Sequence, residues 1–404
     1  MMKFIFLVGD GMGDYPIDVL NRKTPLMAAK TPNMDFIATH GSIGLVETVP
    51  EGMPPGSDVA NMTLMGFDPK IYHTGRGPIE AASLGIKASK EDIIFRCNLV
   101  TLTEERGRFF MADYSAEHIS SEEAKILIEA LNEGINDEKF KFFAGVSYRH
   151  ILIWYKGKKE FETLPPHDVI EKDVTDYFFS LPEEIRSLMG KARFILKKHP
   201  INISRINRGL KPANSIWPWG QGEIPDMPKF EEKFGLKGAV ISAVDLIKGI
   251  GILAGLKIIN VPGATGYFDT NYKGKAEYAL SALEKLDFVY VHVEAPDEAG
   301  HEGNLKAKIE SIEAFDEFVV GTILRETKEK DIKILVTTDH YTPISVRTHV
   351  AMPVPFAIFY ERKSNVSFRP FSEESAKTSG IFVKPGHHLI ELFFKIASPK
   401  SCML

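Results

Sequence analysis

The chain has 404 residues, of which 44% are hydrophobic and 25% charged, and a formal net charge of -5. That length allows two domains with sizeable cores, and the mild acidity argues against a general nucleic-acid binder. The two cysteines, Cys97 and Cys402, support neither a disulfide framework nor a thiolate zinc site and point to a reducing cytoplasm. The start is expected to be neither a signal peptide nor a membrane span, because its apolar run breaks at Gly9-Asp10. No stretch of membrane length and no repeat follows.

Residues 4–8 read as the first strand, running into Gly9-Asp10-Gly11-Met12-Gly13-Asp14. The glycines allow a sharp turn and put Asp10 at the carboxyl edge, where open α/β sheets bind ligands. A dinucleotide loop is the competing idea, but the G-x-G-x-x-G spacing is absent. A short helix follows, with Thr31 as cap, Pro32 in its first turn and Gly41 as its stop. Ser57, after a Pro/Gly turn, stands at the start of a helix expected over 58–65. Unpaired N–H groups and the positive end of the dipole suit an anion attached to its hydroxyl, making Ser57 a candidate nucleophile. An N-cap serine is the bland alternative. No G-x-S-x-G elbow is present, so activation has to come from metal rather than a triad.

Residues 76–234 read as a smaller α+β domain inserted between the pieces 1–75 and 235–404 of the first. Strands are expected over 93–102, 108–111 and 146–154, and helices over 120–133 and 183–198. Arg76, Arg96, Arg149, Arg193, Arg205, Arg208 and Lys211, with His118 and His150, stand out against the acidic whole. Each arginine by itself reads as a surface group, whereas several facing a cleft bind carboxylate and phosphate oxygens in bidentate fashion. Residues 212–222, rich in glycine, proline and tryptophan, read as a loop at the domain junction.

The last third returns to strand and helix alternation: strands over 238–243 and 256–261, a helix over 275–286, then a buried strand over 287–293. Its exit carries Asp297 and His301, four apart and so on one face of a helical turn. A long amphipathic helix over 304–330 leads to a strand over 333–338 that ends in Asp339-His340, with His349 in the next loop. Carboxylate and imidazole are the ligands a hard or borderline divalent cation takes; a turn cap with two surface histidines is the alternative. Three strands expected to be neighbours thus end in Asp10, in Asp297 with His301, and in Asp339 with His340. That spacing suits a two-metal site, which stabilises the entering and leaving oxygens of displacement at phosphorus.

Asp10, Thr31-Pro-Asn-Met34, Ser57, Asp297-x-x-x-His301, Asp339-His340 and His349-x-x-x-Pro-Val-Pro355 together resemble the alkaline phosphatase superfamily. Within it the chain is similar, over nearly its full length, to the archaeal-type cofactor-independent phosphoglycerate mutases. Phe95-Arg-Cys-Asn98, Ser147-Tyr-Arg-His150 and Trp217-Pro-Trp-Gly-Gln-Gly222 carry the likeness in the insert. The resemblance implies an α/β fold with a three-layer α/β/α core around a mostly parallel sheet. It also implies two divalent ions, manganese first, with magnesium, zinc or cobalt as alternatives. One is held by Asp297, His301 and His349, the other by Asp10, Asp339, His340 and the Ser57 hydroxyl.

The implied reaction passes the phosphoryl group of 3-phosphoglycerate to Ser57 and back to the 2-hydroxyl of the trapped glycerate, without bisphosphoglycerate, while domain closure excludes water. The insert is shorter than the bacterial one, and its arginines do not align with it one by one. Asp113 and His118 are candidates for base and phosphate contact, and Arg96, Arg149 and Arg208 for a glycerate clamp. The bacterial pattern places a lysine after the strand ending near Val261, where this chain has Pro262-Gly-Ala-Thr-Gly266; Lys273 or Lys275 replaces it, or nothing does. The rivals are a phosphatase or phosphodiesterase using the same site, another phosphomutase, and a non-enzymatic metal-stabilised binding protein. The expected protein is cytoplasmic, acts on a small molecule, and binds neither nucleic acid nor membrane; its oligomeric state is left open.

Overall fold

Phe4, Ile5, Phe6, Leu7 and Val8 are all buried, which a strand permits only when both faces of its sheet are covered. The computed structural model describes residues 2–361 and 366–395, so Cys402 lies outside the described residues. In chain order the strands are β1 (Lys3–Gly9), β2 (Ser42–Val46), β3 (Ile93–Glu105), β4 (Arg108–Asp113), β5 (Phe140–Phe143), β6 (Arg149–Trp154), β7 (Ser215–Gly222), β8 (Gly238–Ile241), β9 (Lys257–Ile258), β10 (Phe288–Val293), β11 (Ile332–Thr337), β12 (Val354–Tyr360) and β13 (Phe382–Val383). They divide between two units, Met1–His73 with Asp226–Leu404, and Thr74–Pro225.

The first unit holds an eight-stranded sheet in the order β13-β2-β12-β11-β1-β10-β8-β9. β1 pairs in parallel with both β10 and β11, so the strands leading to Asp10, Asp297 and Asp339 are neighbours. β12 is antiparallel to β11 and β2. On one face Ile5, Leu7, Val289, Val291, Ile334 and Val336 share a core with residues of the helices Pro32–His40 and Tyr272–Leu283. On the other, Phe4 and Phe6 meet Phe393 edge-on at 5.5 and 5.9 Å, and Phe288 stacks on Phe230 at 4.8 Å. The result is a three-layer α/β/α core around a mostly parallel sheet, in which each fully buried large apolar side chain contributes about 1.5–3 kcal/mol. Among the described residues no helix is long and apolar enough to cross a membrane.

Two expectations for this unit need correction. Residues 226–234, assigned above to the insert, pack with the first unit, because Phe230 and Phe234 join an aromatic cluster with Phe67, Phe288 and Phe394. The helix expected over 304–330 is broken: Leu305–Ala314 passes through a π-turn, Phe315–Val320, into Gly321–Thr327. There the Asp316 carboxylate accepts from the backbone N–H of Asn33 and Met34, and Asn33 Nδ2 donates to Asp316 O. Capping one helix thus reshapes the other.

The second unit contains a five-stranded antiparallel sheet, β4-β3-β6-β5, with β7 also paired to β3. The expected loop over 212–222 therefore contains a strand. Trp217 is buried and donates its indole N–H to Leu164 O at 2.8 Å, and Trp219 donates to Asn98 Oδ1 at 3.1 Å; this burial outweighs the loop-forming glycine and proline. Arg96 is only 4% exposed and is held by Glu80, which also accepts from Arg76 Nε at 2.7 Å. Removing one partner of a buried pair leaves an uncompensated charge, so Glu80→Ala is expected to destabilise this unit by about 3–5 kcal/mol. A lowered urea midpoint checks this, and an unchanged midpoint refutes it.

Candidate active site

The carboxyl ends of three adjacent strands bring the predicted residues together. Asp10 follows β1, Asp339 and His340 follow β11, and Asp297 and His301 lie on the helix Ala295–Glu302 after β10. Ser57 is the first residue of the helix Ser57–Leu64. His340 is the hub: its Nε2 lies 3.1 Å from Ser57 Oγ, 3.3 Å from Asp10 Oδ1 and 3.5 Å from Asp339 Oδ2. Beside it, Asp297 sits 3.2 Å from His301 Nε2 and 3.6 Å from His349 Nε2, and those two nitrogens are 3.0 Å apart. Gly11, at φ +62°, allows this closeness, since a Cβ there would come within 2.5 Å of Asp297 Oδ1.

Hydrogen bonding sets the rings for ligation. The Thr342 hydroxyl donates to Asp297 Oδ1, so its oxygen accepts from His340 Nδ1 at 3.1 Å and leaves the His340 Nε2 lone pair facing Ser57 and Asp10. Burial pushes His340 down to about 4, which keeps it neutral. His301 Nδ1 likewise donates to Arg347 O at 3.0 Å, turning its Nε2 toward Asp297.

The residues also fit cations electrostatically. Burial, and then the charges of Asp339 and Asp297, push Asp10 well above the usual carboxylate range, and its Oδ1 is buried without a hydrogen-bond partner. Burial opposes charge on His301, yet contact with Asp297 holds it up at about 9. Asp297, His340 and His349 offer ligand atoms within 4.8 Å of one another, as do Asp10, Asp339 and His340. Carboxylate oxygens and imidazole nitrogens in that arrangement are a divalent-cation donor set.

Residues 38–202 match a family described as 2,3-bisphosphoglycerate-independent phosphoglycerate mutase. A Methanosarcina barkeri protein of that name is 50% identical, covering 98% of this chain and 100% of its own length. This chain belongs to the 2,3-bisphosphoglycerate-independent phosphoglycerate mutase family. A Geobacter sulfurreducens relative, named a probable mutase of this kind, is also 50% identical, covering 97% of this chain and 99% of its own. Among solved structures, a Pyrococcus horikoshii protein superposes with a TM-score of 0.81 at 31% identity, over 97% of this chain and 96% of the other. The cofactor-independent phosphoglycerate mutase of Thermoplasma acidophilum does so with a TM-score of 0.65 at 27% identity, over 98% and 100%.

In this mutase-family chain several supporting residues escaped the sequence reading. Asn61, one turn after Ser57, donates to Ser57 O and to Asp339 Oδ2, both at 2.8 Å, and accepts from the Tyr290 hydroxyl at 2.6 Å. Lys308 is wholly buried and donates to Asp14 Oδ2 at 2.8 Å, Thr342 O at 2.7 Å and Gly13 O at 3.2 Å, joining the loops after β1 and β11. Of the candidate lysines, Lys275 is wholly buried against Glu294 at 2.8 Å, whereas Lys273 is exposed and pairs with Glu277 at 3.5 Å on the helix surface.

Near Lys308, Glu373 accepts from Thr24 Oγ1 at 2.9 Å, and its other oxygen is buried without a partner. Burial pushes its pKa up from 4.5 to about 7. The folded state therefore keeps this proton where the unfolded state has released it. Stability falls as pH rises from about 4.5 to about 7. Glu373→Gln, a permanent mimic of the protonated form, is expected to gain about 3 kcal/mol over the native chain at pH 8 and nothing at pH 4. Paired urea titrations at the two pH values check this.

In the second unit the candidates divide. Asp113 Oδ1 accepts from Ser115 N and Oγ, both at 2.8 Å, and from Glu117 N at 3.1 Å, while Oδ2 meets Lys211 at 3.1 Å. Those bonds hold Ala116, Glu117 and His118 at φ 48°, 57° and 49°, so Asp113 anchors a turn. Against the effect of burial, its hydrogen bonds keep it below the usual carboxylate range. Arg208, expected in the clamp, shares Glu123 with Arg205, both pairs at 2.5 Å. His150 is buried and pushed down to about 3, hence uncharged. Arg149 lies over the Tyr148 ring at 5.9 Å, and His118 packs edge-on against that ring at 5.6 Å.

Proposed function

We propose that this chain interconverts 3-phosphoglycerate and 2-phosphoglycerate, a step of glycolysis and gluconeogenesis in the cytoplasm, through a phosphoserine on Ser57. The observation that carries this reading is the Ser57 hydroxyl 3.1 Å from His340 Nε2, beside two donor clusters, in a chain half identical to named mutases. Asp297, His301 and His349 would hold one divalent cation, and Asp10, Asp339, His340 and Ser57 another, with manganese as first choice. Bound cations supply Lewis acidity, lowering the pKa of the serine hydroxyl and screening the phosphate charge.

The chain's own residues do the rest. Asn61 fixes the Ser57 carbonyl, and the helix start presents N–H groups to the arriving phosphoryl oxygens. Ser57 Oγ bonds to phosphorus as the 3-ester P–O bond breaks and glycerate takes a proton. Glycerate then attacks the same phosphorus through its 2-hydroxyl, the Ser57 Oγ–P bond breaks, and the proton of the 2-hydroxyl returns to Ser57 Oγ. We assign the substrate's anionic groups to Arg149 and His118, with Arg96, held by Glu80, on the strand paired with that of Arg149. An enolase-coupled assay without bisphosphoglycerate tests this. Turnover with Mn(II) that stops on adding EDTA is expected; turnover requiring bisphosphoglycerate, or indifferent to EDTA, refutes it.

A further inference from the structure

Lys275, Glu294 and His292 are fully buried beneath Asp10, and the reaction described above uses none of them. Glu294 Oε1 accepts from Ser242 Oγ at 2.8 Å, Ala243 N at 3.0 Å and Val244 N at 3.2 Å, and faces His292 Nδ1 at 3.1 Å. Glu294 Oε2 meets Lys275 Nζ at 2.8 Å, and the same ammonium donates to His292 O at 2.8 Å. Glu294 is thus held on both oxygens. A carboxylate only accepts, so His292 Nδ1 carries a proton. The other ring nitrogen is turned to Asp10, 3.2 Å from Oδ2, in a contact that falls short of hydrogen-bond alignment.

Asp10 is divided by this arrangement. Its Oδ2 faces His292, while its Oδ1, buried and without a hydrogen-bond partner, points 3.3 Å from His340 Nε2. Burying a lysine and a glutamate carries a desolvation penalty of several kcal/mol per ion, which an apolar pair would avoid. What the ions provide here is a rigid mount for the ring behind Asp10.

We propose that Lys275, Glu294 and His292 form a brace that aims one oxygen of Asp10 into the cluster of Asp339 and His340, making His292 a positioning residue for the cation bound there. This rests on the two-metal reading above. A carboxylate free to turn must be ordered when the cation binds, whereas a braced one is ordered beforehand. Loss of groups that orient metal ligands typically weakens affinity about 10–100-fold.

The test is a Mn(II) titration of the EDTA-stripped full chain, reading free Mn(II) by electron paramagnetic resonance. The wild type is expected to bind two ions. His292→Leu should bind one of them about 10–100-fold more weakly and the other unchanged, the unchanged step showing that the fold persists. His292→Gln, which keeps a polar side chain packed against Asp10, should recover part of the loss. Two unchanged steps in His292→Leu overturn the brace. So does equal weakening of both steps with a lowered melting temperature and no recovery in His292→Gln, which marks a merely structural residue. A wild type that binds no Mn(II) overturns the two-metal reading itself, and the brace with it.

Discussion

Ser57→Ala abolishes the interconversion of phosphoglycerates, with a fall in kcat of about 10,000-fold or more, the size seen when a covalent nucleophile is deleted. The substitution removes one oxygen, placed 3.1 Å from His340 Nε2. Ser57 starts its helix with Gly56 as N-cap and no side-chain capping bond, so the usual stability loss of a deleted cap does not apply. Melting temperature should therefore change little and substrate binding should survive, which separates lost chemistry from lost structure. A steady-state assay of the pure variant decides: residual activity within tenfold of wild type would exclude a phosphoserine path.

Metal removal is expected to have the largest effect on stability. Asp10, Asp297 and Asp339 are buried together, and the raised pKa of Asp10 follows first from burial and then from the charges of the other two. A cation relieves that repulsion only in the folded state. Ligand at a hundred times its Kd stabilises by about 2.7 kcal/mol per site. Two sites therefore raise the melting midpoint of the stripped protein by about 10 °C or more, at roughly 2–4 °C per kcal/mol. Asp339→Asn, which loses one charge of a single cluster, should keep about half of the rise. Scanning calorimetry with and without Mn(II) measures this, and identical midpoints would contradict a cation site in either cluster.

The candidate ligand residues were legible because they obey strong local rules. Asp10 and Asp339 interrupt apolar β-branched runs where a parallel strand ends, and Asp297 with His301 has the spacing of one helical face. What supports them was harder to see. Lys275 and Lys308 lie on helices and look in sequence like the solvated lysines around them; only tertiary packing buries them. His292 did leave a signal, as an imidazole in the otherwise aliphatic and aromatic buried run Phe288–Val293, two positions before Glu294.

The errors have physical causes too. Pro218 and the glycines of 212–222 suggest a loop, but a strand formed because Trp217 and Trp219 gain more from burial than the backbone loses. The turn that Asp113 anchors was not read from the sequence, because its left-handed residues are not glycines. The division at 226 rather than 235 follows from Phe230, which reads as an ordinary apolar residue until Phe288 and Phe394 are seen around it.

Phosphorus NMR of 3-phosphoglycerate with Mn(II)-loaded protein, without bisphosphoglycerate and with Ser57→Ala alongside, follows the phosphoryl group itself. Transfer predicts a fixed mixture of 3- and 2-phosphoglycerate in the wild type and an unchanged spectrum in the variant. Accumulation of inorganic phosphate instead, or isomerisation that survives loss of Ser57, would contradict a mutase working through that serine.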